Sequence, residues 1–210
     1  MTEHQLRDSI AALGRSMYER GLTHGSTGNI SARCSDGWLL TPTGSNLGQL
    51  DPARIAKLDW NGKHLAGDPP SKENFLHLAM YEERQQNGAV IHLHATHSVA
   101  VSVLADTNPE DALPPLTAYY VMRIGSLPMV PYYAPGDMAL AGAVRKLASR
   151  HHAVLLANHG PVVAGSTLAA AADAMEELEA TAKLHLLLRG EKTRPLDAAQ
   201  VADLKRRYPL

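Results

Sequence analysis

Cysteine is almost absent from this chain. Cys34 stands alone among 210 residues, so no intrachain disulfide is available and a reducing compartment suits the protein. An excess of charge is missing too. Lys and Arg number 20 against 21 Asp and Glu, a net charge of −1, which removes the electrostatic case for nucleic acid or a membrane surface as partner. There is no long apolar run. The most apolar stretch, 168–188, is broken by Asp173, Glu176, Glu177, Glu179, Lys183 and His185, which excludes a membrane span. Residues 1–7 lack the basic start and apolar core of a signal peptide. No repeat, linker or low-complexity segment divides the chain. These absences predict a cytoplasmic protein of one domain over 1–210, without nucleic-acid or membrane partners.

Histidine, by contrast, is plentiful at 11 residues, which raises the question of a metal. In Ala89-Val90-Ile91-His92-Leu93-His94, the apolar residues predict a buried strand. Alternation along a strand sends His92 and His94 to the same side, their Cα atoms roughly 6–7 Å apart, close enough to share a divalent ion. A short H-x-H is also compatible with two hydrogen-bonded core histidines. A second apolar strand over 153–156 runs into Asn158-His159-Gly160, and Pro70-Ser71-Lys72-Glu73 precedes the first strand by a helix. Three histidines and a nearby carboxylate are the ligand types zinc favours.

Helical spacing of Leu6, Ile10, Leu13 and Met17 predicts a first helix over 3–20, closed by Gly21. His24-Gly25-Ser26-Thr27-Gly28-Asn29 can cradle an anion or simply turn into a strand at 30–33. Strands follow at 38–41, 55–59 and 64–65, with a turn at Asn61-Gly62 and a helix start at Asp51-Pro52. Ser71 is the expected cap of a helix reaching 86, which buries Phe75, Leu76, Ala79 and Met80 and sets Glu73 in its first turn. Unpaired N–H groups in that turn suit a phosphate, and a glutamate is common there for the macrodipole alone. Further helices are expected over 96–104, 138–150, 167–188 and 197–207, with strands at 127–130 and 162–164. The mixture lacks strict βα alternation. It predicts an α/β, α+β-like domain with a central, mostly antiparallel sheet flanked by helices.

Five motifs, Gly28-Asn29-Ile30-Ser31, Thr41-Pro42-Thr43-Gly44, Pro70-Ser71-Lys72-Glu73, His92-Leu93-His94 and Asn158-His159-Gly160, occur in the order seen in zinc-dependent class II sugar-phosphate aldolases. The chain resembles that family, which includes fuculose-phosphate aldolase, ribulose-phosphate 4-epimerase and the adducin head, over nearly its whole length. Residues 97–102, 119–123 and 131–137 look most like the 3-oxo-tetronate 4-phosphate decarboxylases. The resemblance implies a three-layer fold and a zinc ion, or another divalent metal, on His92, His94 and His159. Glu73 would be the catalytic acid/base, partly protonated beside an apolar metal pocket, and a fourth ligand in the free site. Asn29, Thr43, Gly44 and Ser71 would hold the substrate phosphate. Lys72 stands where the fuculose-phosphate aldolases resemble Pro-Ser-Ser-Glu, and suits an extra negative charge on a sugar-acid phosphate, a phosphate contact or plain solvation. The resemblance also implies a homotetramer with sites between subunits, where Tyr119 would be catalytic and Tyr120 or Tyr208 would reach a neighbour's site unless each merely packs.

The implied activity is that of a carbon–carbon lyase. It would decarboxylate a 3-oxo-tetronate 4-phosphate to dihydroxyacetone phosphate and CO₂ through a zinc-stabilised enediolate. Aldol cleavage or epimerisation of fuculose or ribulose phosphate makes an enediolate of the same kind and is the alternative. A non-catalytic interaction domain like the adducin head is the alternative of another class.

Overall fold

The structure is a computed structural model and describes residues 1–134 and 136–210. Pro135, part of the 131–137 motif and of the expected entry to a helix, lies outside the described residues. Strands β1 (Asn29–Cys34), β2 (Gly37–Leu40), β3 (Ala56–Leu58), β4 (His64–Ala66), β5 (Ala89–His92), β6 (Met129–Val130), β7 (Ala153–Leu156) and β8 (Gly160–Gly165) form one sheet. Their spatial order is β4-β3-β2-β1-β5-β8-β7-β6. The β6–β7 pair is parallel and the other pairs are antiparallel, as the sequence predicts.

The period-2 pattern of the central strands explains the layers. Val90, Val154 and Val162 enter one apolar cluster, with α2 (Asn74–Glu83) and α5 (Ala139–Ala148). Ile91, Leu155 and Val163 enter another on the opposite face, with α1 (Glu3–Glu19), α3 (Thr96–Val103), α4 (Ala118–Arg123) and α6 (Leu168–Leu187). Helix α7 (Ala198–Arg207) packs on that side against α4. Strands buried on both faces must be apolar at successive positions, as Val154-Leu155-Leu156 is. Helices on both faces make the expected three layers.

Several boundaries differ from expectation. Strand β5 stops at His92, so His94 lies beyond it and the alternation argument covers only the first histidine. Ser71 does not cap α2; Glu73 occupies the N-cap position, with no side-chain capping bond. The helix ends at Glu83, short of 86, because the Asn87 side chain donates to Met80 O at 3.1 Å and closes the turn. Asp51-Pro52 starts only one 3-10 turn, Pro52–Arg54, before β3 claims the chain. Residues 118–123, where the sequence predicts no element, form α4, whose cap Thr117 accepts from Tyr120 N.

Candidate active site

The site assembles at one end of the central strands. Register places Asn29 of β1 opposite His92 of β5, and His92 opposite Val162 of β8. His159 comes from the turn between β7 and β8, and Glu73 from the start of α2. Two glycines make the approach possible. A Cβ at Gly28 (φ +79) would lie 2.9 Å from His92 O, and one at Gly160 (φ +148) would lie 2.3 Å from Leu93 O. Asn158, at φ 57, completes the turn and is anchored through its N–H to Ser102 Oγ of α3 at 3.1 Å.

Glu73, His92, His94 and His159 each offer a ligand atom, and these atoms all lie within 4.8 Å of one another. The imidazole centroids are 4.6–5.1 Å apart. His159 Nε2 is 3.2 Å from Glu73 Oε1, and His92 Nε2 is 3.6 Å from Glu73 Oε2. His92 Nδ1 donates to Pro161 O at 2.9 Å, which makes Nε2 the bare nitrogen of a neutral ring. That Nε2 is buried and has no hydrogen-bond partner. An orphaned lone pair facing two more imidazoles and a carboxylate is what a bound divalent cation satisfies. The donor set therefore fits a metal ion.

The surroundings set the charge of each group. Burial pushes His94 down to about 4. Burial also lowers His92, against the opposing pull of Glu73. Neutral imidazoles are the ligand form. Burial pushes Glu73 up, but the hydrogen bonds from His159 and Asn29 outweigh it and hold the carboxyl well below its usual range. The expected partly protonated Glu73 is thus corrected: in the free site it is a carboxylate, because donors surround it.

Asn29 and Ser71 belong to the cluster. Asn29 Nδ2 donates to Glu73 Oε2 at 2.7 Å and to Ser71 Oγ at 3.2 Å. Thr43 and Gly44 are exposed; their loop is bridged to the Ser71 loop at Pro42–Pro70, but they line a separate cavity of about 270 Å³. Lys72 points to solvent at the start of the helix. Tyr119 and Tyr208 are exposed, Tyr120 is buried, and Arg123 pairs with Asp173 at 2.8 Å. None of these four lines the cavity of about 590 Å³ that holds Glu73, His94 and His159. Its walls add His24, Thr96, Tyr132 and Asn158, of which the sequence pointed to the Asn158 turn, the His24 loop and, in the 131–137 motif, Tyr132. A cavity of similar size, about 600 Å³, lies between the 106–116 loop and the end of α6, away from the ligand cluster. Sequence reasoning also missed His77, buried one turn along α2 from Glu73; its place on the apolar face of that helix was the available signal.

Residues 8–186 match the class II aldolase and adducin N-terminal domain family. The chain belongs to that family. It is 50% identical over 188 residues to a 3-oxo-tetronate 4-phosphate decarboxylase of Cupriavidus necator, covering 90% of this chain and 87% of the relative. The Haemophilus influenzae protein of that name is 48% identical and is covered, like this chain, over 99%. An L-fuculose phosphate aldolase of Escherichia coli is 35% identical over 89% of this chain and 85% of its own. Among solved structures, YgbL from Escherichia coli superposes with a TM-score of 0.95 at 45% identity, over 97% of this chain and 99% of that one. The class II fold and the lyase character of the family are therefore established for this chain, together with a His/Glu cluster able to hold a metal. No helix among the described residues is long and apolar enough to cross a membrane.

Proposed function

We propose that this chain is a metal-dependent 3-oxo-tetronate 4-phosphate decarboxylase. The carrying observation is the convergence of three histidines and Glu73, with one buried histidine nitrogen left bare, in a chain close to half identical to proteins of that name. In this proposal residues 1–210 form one catalytic domain, working in the cytoplasm, and His92, His94, His159 and Glu73 hold zinc. A divalent ion held there supplies Lewis-acid stabilisation for the charge left when the carbon–carbon bond breaks.

The substrate is a β-keto acid. The C1–C2 bond breaks, CO₂ leaves, the electron pair moves toward the C3 ketone, and a proton returns to C2 to give dihydroxyacetone phosphate. Glu73 is the group that carries that proton. In the free site Asn29 and His159 hold it as an anion, and with Oε2 kept on Asn29 the proton is carried at Oε1, which substrate frees from His159. Asn29, Ser71, Thr43, Gly44 and Lys72 bind the phosphate and fix which bond is cleaved. Tyr119 does not line the cavity of its own chain, which suits a homotetramer whose neighbouring subunit brings Tyr119 to the site.

The test is release of CO₂ and dihydroxyacetone phosphate from 3-oxo-tetronate 4-phosphate by zinc-loaded protein. Absence of turnover rejects the proposal. Faster cleavage of fuculose phosphate assigns an aldolase, and failure to retain or take up any divalent ion assigns an interaction domain.

A further inference from the structure

His77 is fully buried, and its ring is stacked with Trp38, with centroids 6.4 Å apart and planes 16° from parallel. Both of its nitrogens are engaged. Nε2 lies 2.5 Å from Asn29 Oδ1, and Nδ1 lies 2.7 Å from Ser31 Oγ. Ser31 Oγ is in turn 2.8 Å from the Tyr81 hydroxyl. These contacts join Glu73 to Tyr81 through Asn29, His77 and Ser31.

The hydrogens on this chain follow from one end. The Glu73 carboxylate only accepts, so the Asn29 atom facing it is the amino nitrogen. Ser71 takes that nitrogen's second hydrogen. The Asn29 carbonyl oxygen therefore faces His77 and accepts, and Nε2 carries the imidazole proton. Burial pushes His77 down to about 3, so the ring is neutral and Nδ1 is a lone pair. Ser31 must donate to that lone pair, and Tyr81 must donate to Ser31. Each group has a single admissible orientation. Were the Asn29 amide reversed, its oxygen would sit against the Glu73 carboxylate and its amino group against His77. Among the described residues the Asn29 side chain has no other hydrogen-bond partner beyond Glu73, Ser71 and His77.

Granting Asn29 and Glu73 the active-site roles proposed above, we infer that His77 is a positioning residue. Held as the Nε2–H tautomer by Ser31 and Tyr81, it locks the Asn29 amide with its amino group toward Glu73 and Ser71. An apolar side chain would fill the same space on α2 with no polar group to satisfy. A buried polar chain is favourable only when complete, and this one ends on the carboxylate of the cavity. His77 thus acts on the site without touching substrate. The lock keeps Glu73 Oε2 fixed while Oε1 faces His159.

Two measurements test this. In protein labelled with ¹⁵N-histidine, imidazole NMR without substrate reads the His77 tautomer; Nε2–H is expected, and Nδ1–H or an imidazolium would overturn the inference. The second is a cycle of His77→Phe, Asn29→Ala and the double variant, assayed for CO₂ release with metal content measured in parallel. His77→Phe is expected to lower kcat by about 10–100-fold with KM within about threefold and metal retained. The double variant should be no worse than Asn29→Ala alone, because His77 acts through Asn29. His77→Gln, which restores a donor, should recover at least about tenfold over His77→Phe. Losses that multiply in the double variant, or a Gln variant as poor as Phe, overturn it. If His77→Phe does not fold, the tautomer decides. That reading needs no turnover, so an inactive preparation refutes the proposed reaction and leaves the positioning role to stand or fall separately.

Discussion

Gly160 is the position where one methyl group should damage both fold and site. A Cβ there would lie 2.3 Å from Leu93 O and 3.3 Å from His94 Cα, both backbone atoms. Carbon and oxygen rest no closer than about 3.3 Å, so the 158–160 turn and the 93–94 segment must part by about 1 Å. Forcing such a displacement in packed surroundings costs about 1–3 kcal/mol. An L-residue at this positive φ adds about 1 kcal/mol, for a total of about 2–4 kcal/mol. Gly21 is the control: its φ is +75 and a Cβ meets nothing within 4 Å, so Gly21→Ala carries only the conformational cost. Urea midpoints in chelator at fixed protein concentration measure both without a metal contribution. Metal sites tolerate about 0.2 Å in ligand distance, so a shift of about 1 Å between His94 and His159 should also weaken zinc uptake at least tenfold. Should Gly160→Ala cost no more than Gly21→Ala and bind zinc as the parent does, close approach at this glycine does not assemble the site.

His94→Ala should lose the metal and turnover while the urea midpoint of the apoprotein changes little, since the cluster lies at the end of the sheet and outside both apolar cores; metal analysis and circular dichroism check it. Glu73→Gln should retain metal and lose most turnover, and near-full activity would assign the proton to another group. Apoprotein stability should fall with pH. His77, His94 and His152 are held at about 3, 4 and 4, chiefly by burial. Between pH 6.5 and 4 the unfolded chain therefore binds more protons than the folded one, so stability is full above that window and drops through it; equal urea midpoints at pH 7.5 and 5 would contradict this. Glu179→Ala should cost about 2–4 kcal/mol, because it strips acceptors from buried donors. The carboxylate accepts from the backbone N–H groups of His97 and Ser98 and from Ser98 Oγ, at 2.7–2.9 Å. Since these bonds seat the start of α3 just after His94, the same variant should loosen zinc.

Local patterns made much of this molecule legible. The continuous apolar runs in β5, β7 and β8 announce strands covered on both faces, and the spacing in α1 and α6 announces amphipathic helices. The candidate histidine ligands were legible as residue types near strand ends. Their convergence was not, because β5 ends at His92 and the His94–His159 approach depends on a glycine in a distant turn. Nor did any spacing announce that Asn29 and His92 share a register across two strands, or that His77 would reach both Asn29 and Ser31.

The start of α2 shows why the local rules gave way at that place. A Ser-Lys-Glu sequence before an apolar run signals a serine cap with a glutamate supporting the helix dipole. The structure instead spends Ser71 on Asn29 and on Glu73 N, and turns the Glu73 carboxylate off the helix toward Asn29, His92 and His159. The cap position is left without its side-chain bond, which costs the helix about 1 kcal/mol. Charge-assisted hydrogen bonds from two of those partners, Asn29 and His159, offset that easily, since each is worth about 1.5–3 kcal/mol where donor or acceptor is ionised. A side chain drawn away from its local role by distant partners has been recruited for something other than the helix. Here the partners are the groups that would hold a cation and a phosphate, so the broken capping rule itself marks Glu73 as the carboxylate of the proposed site.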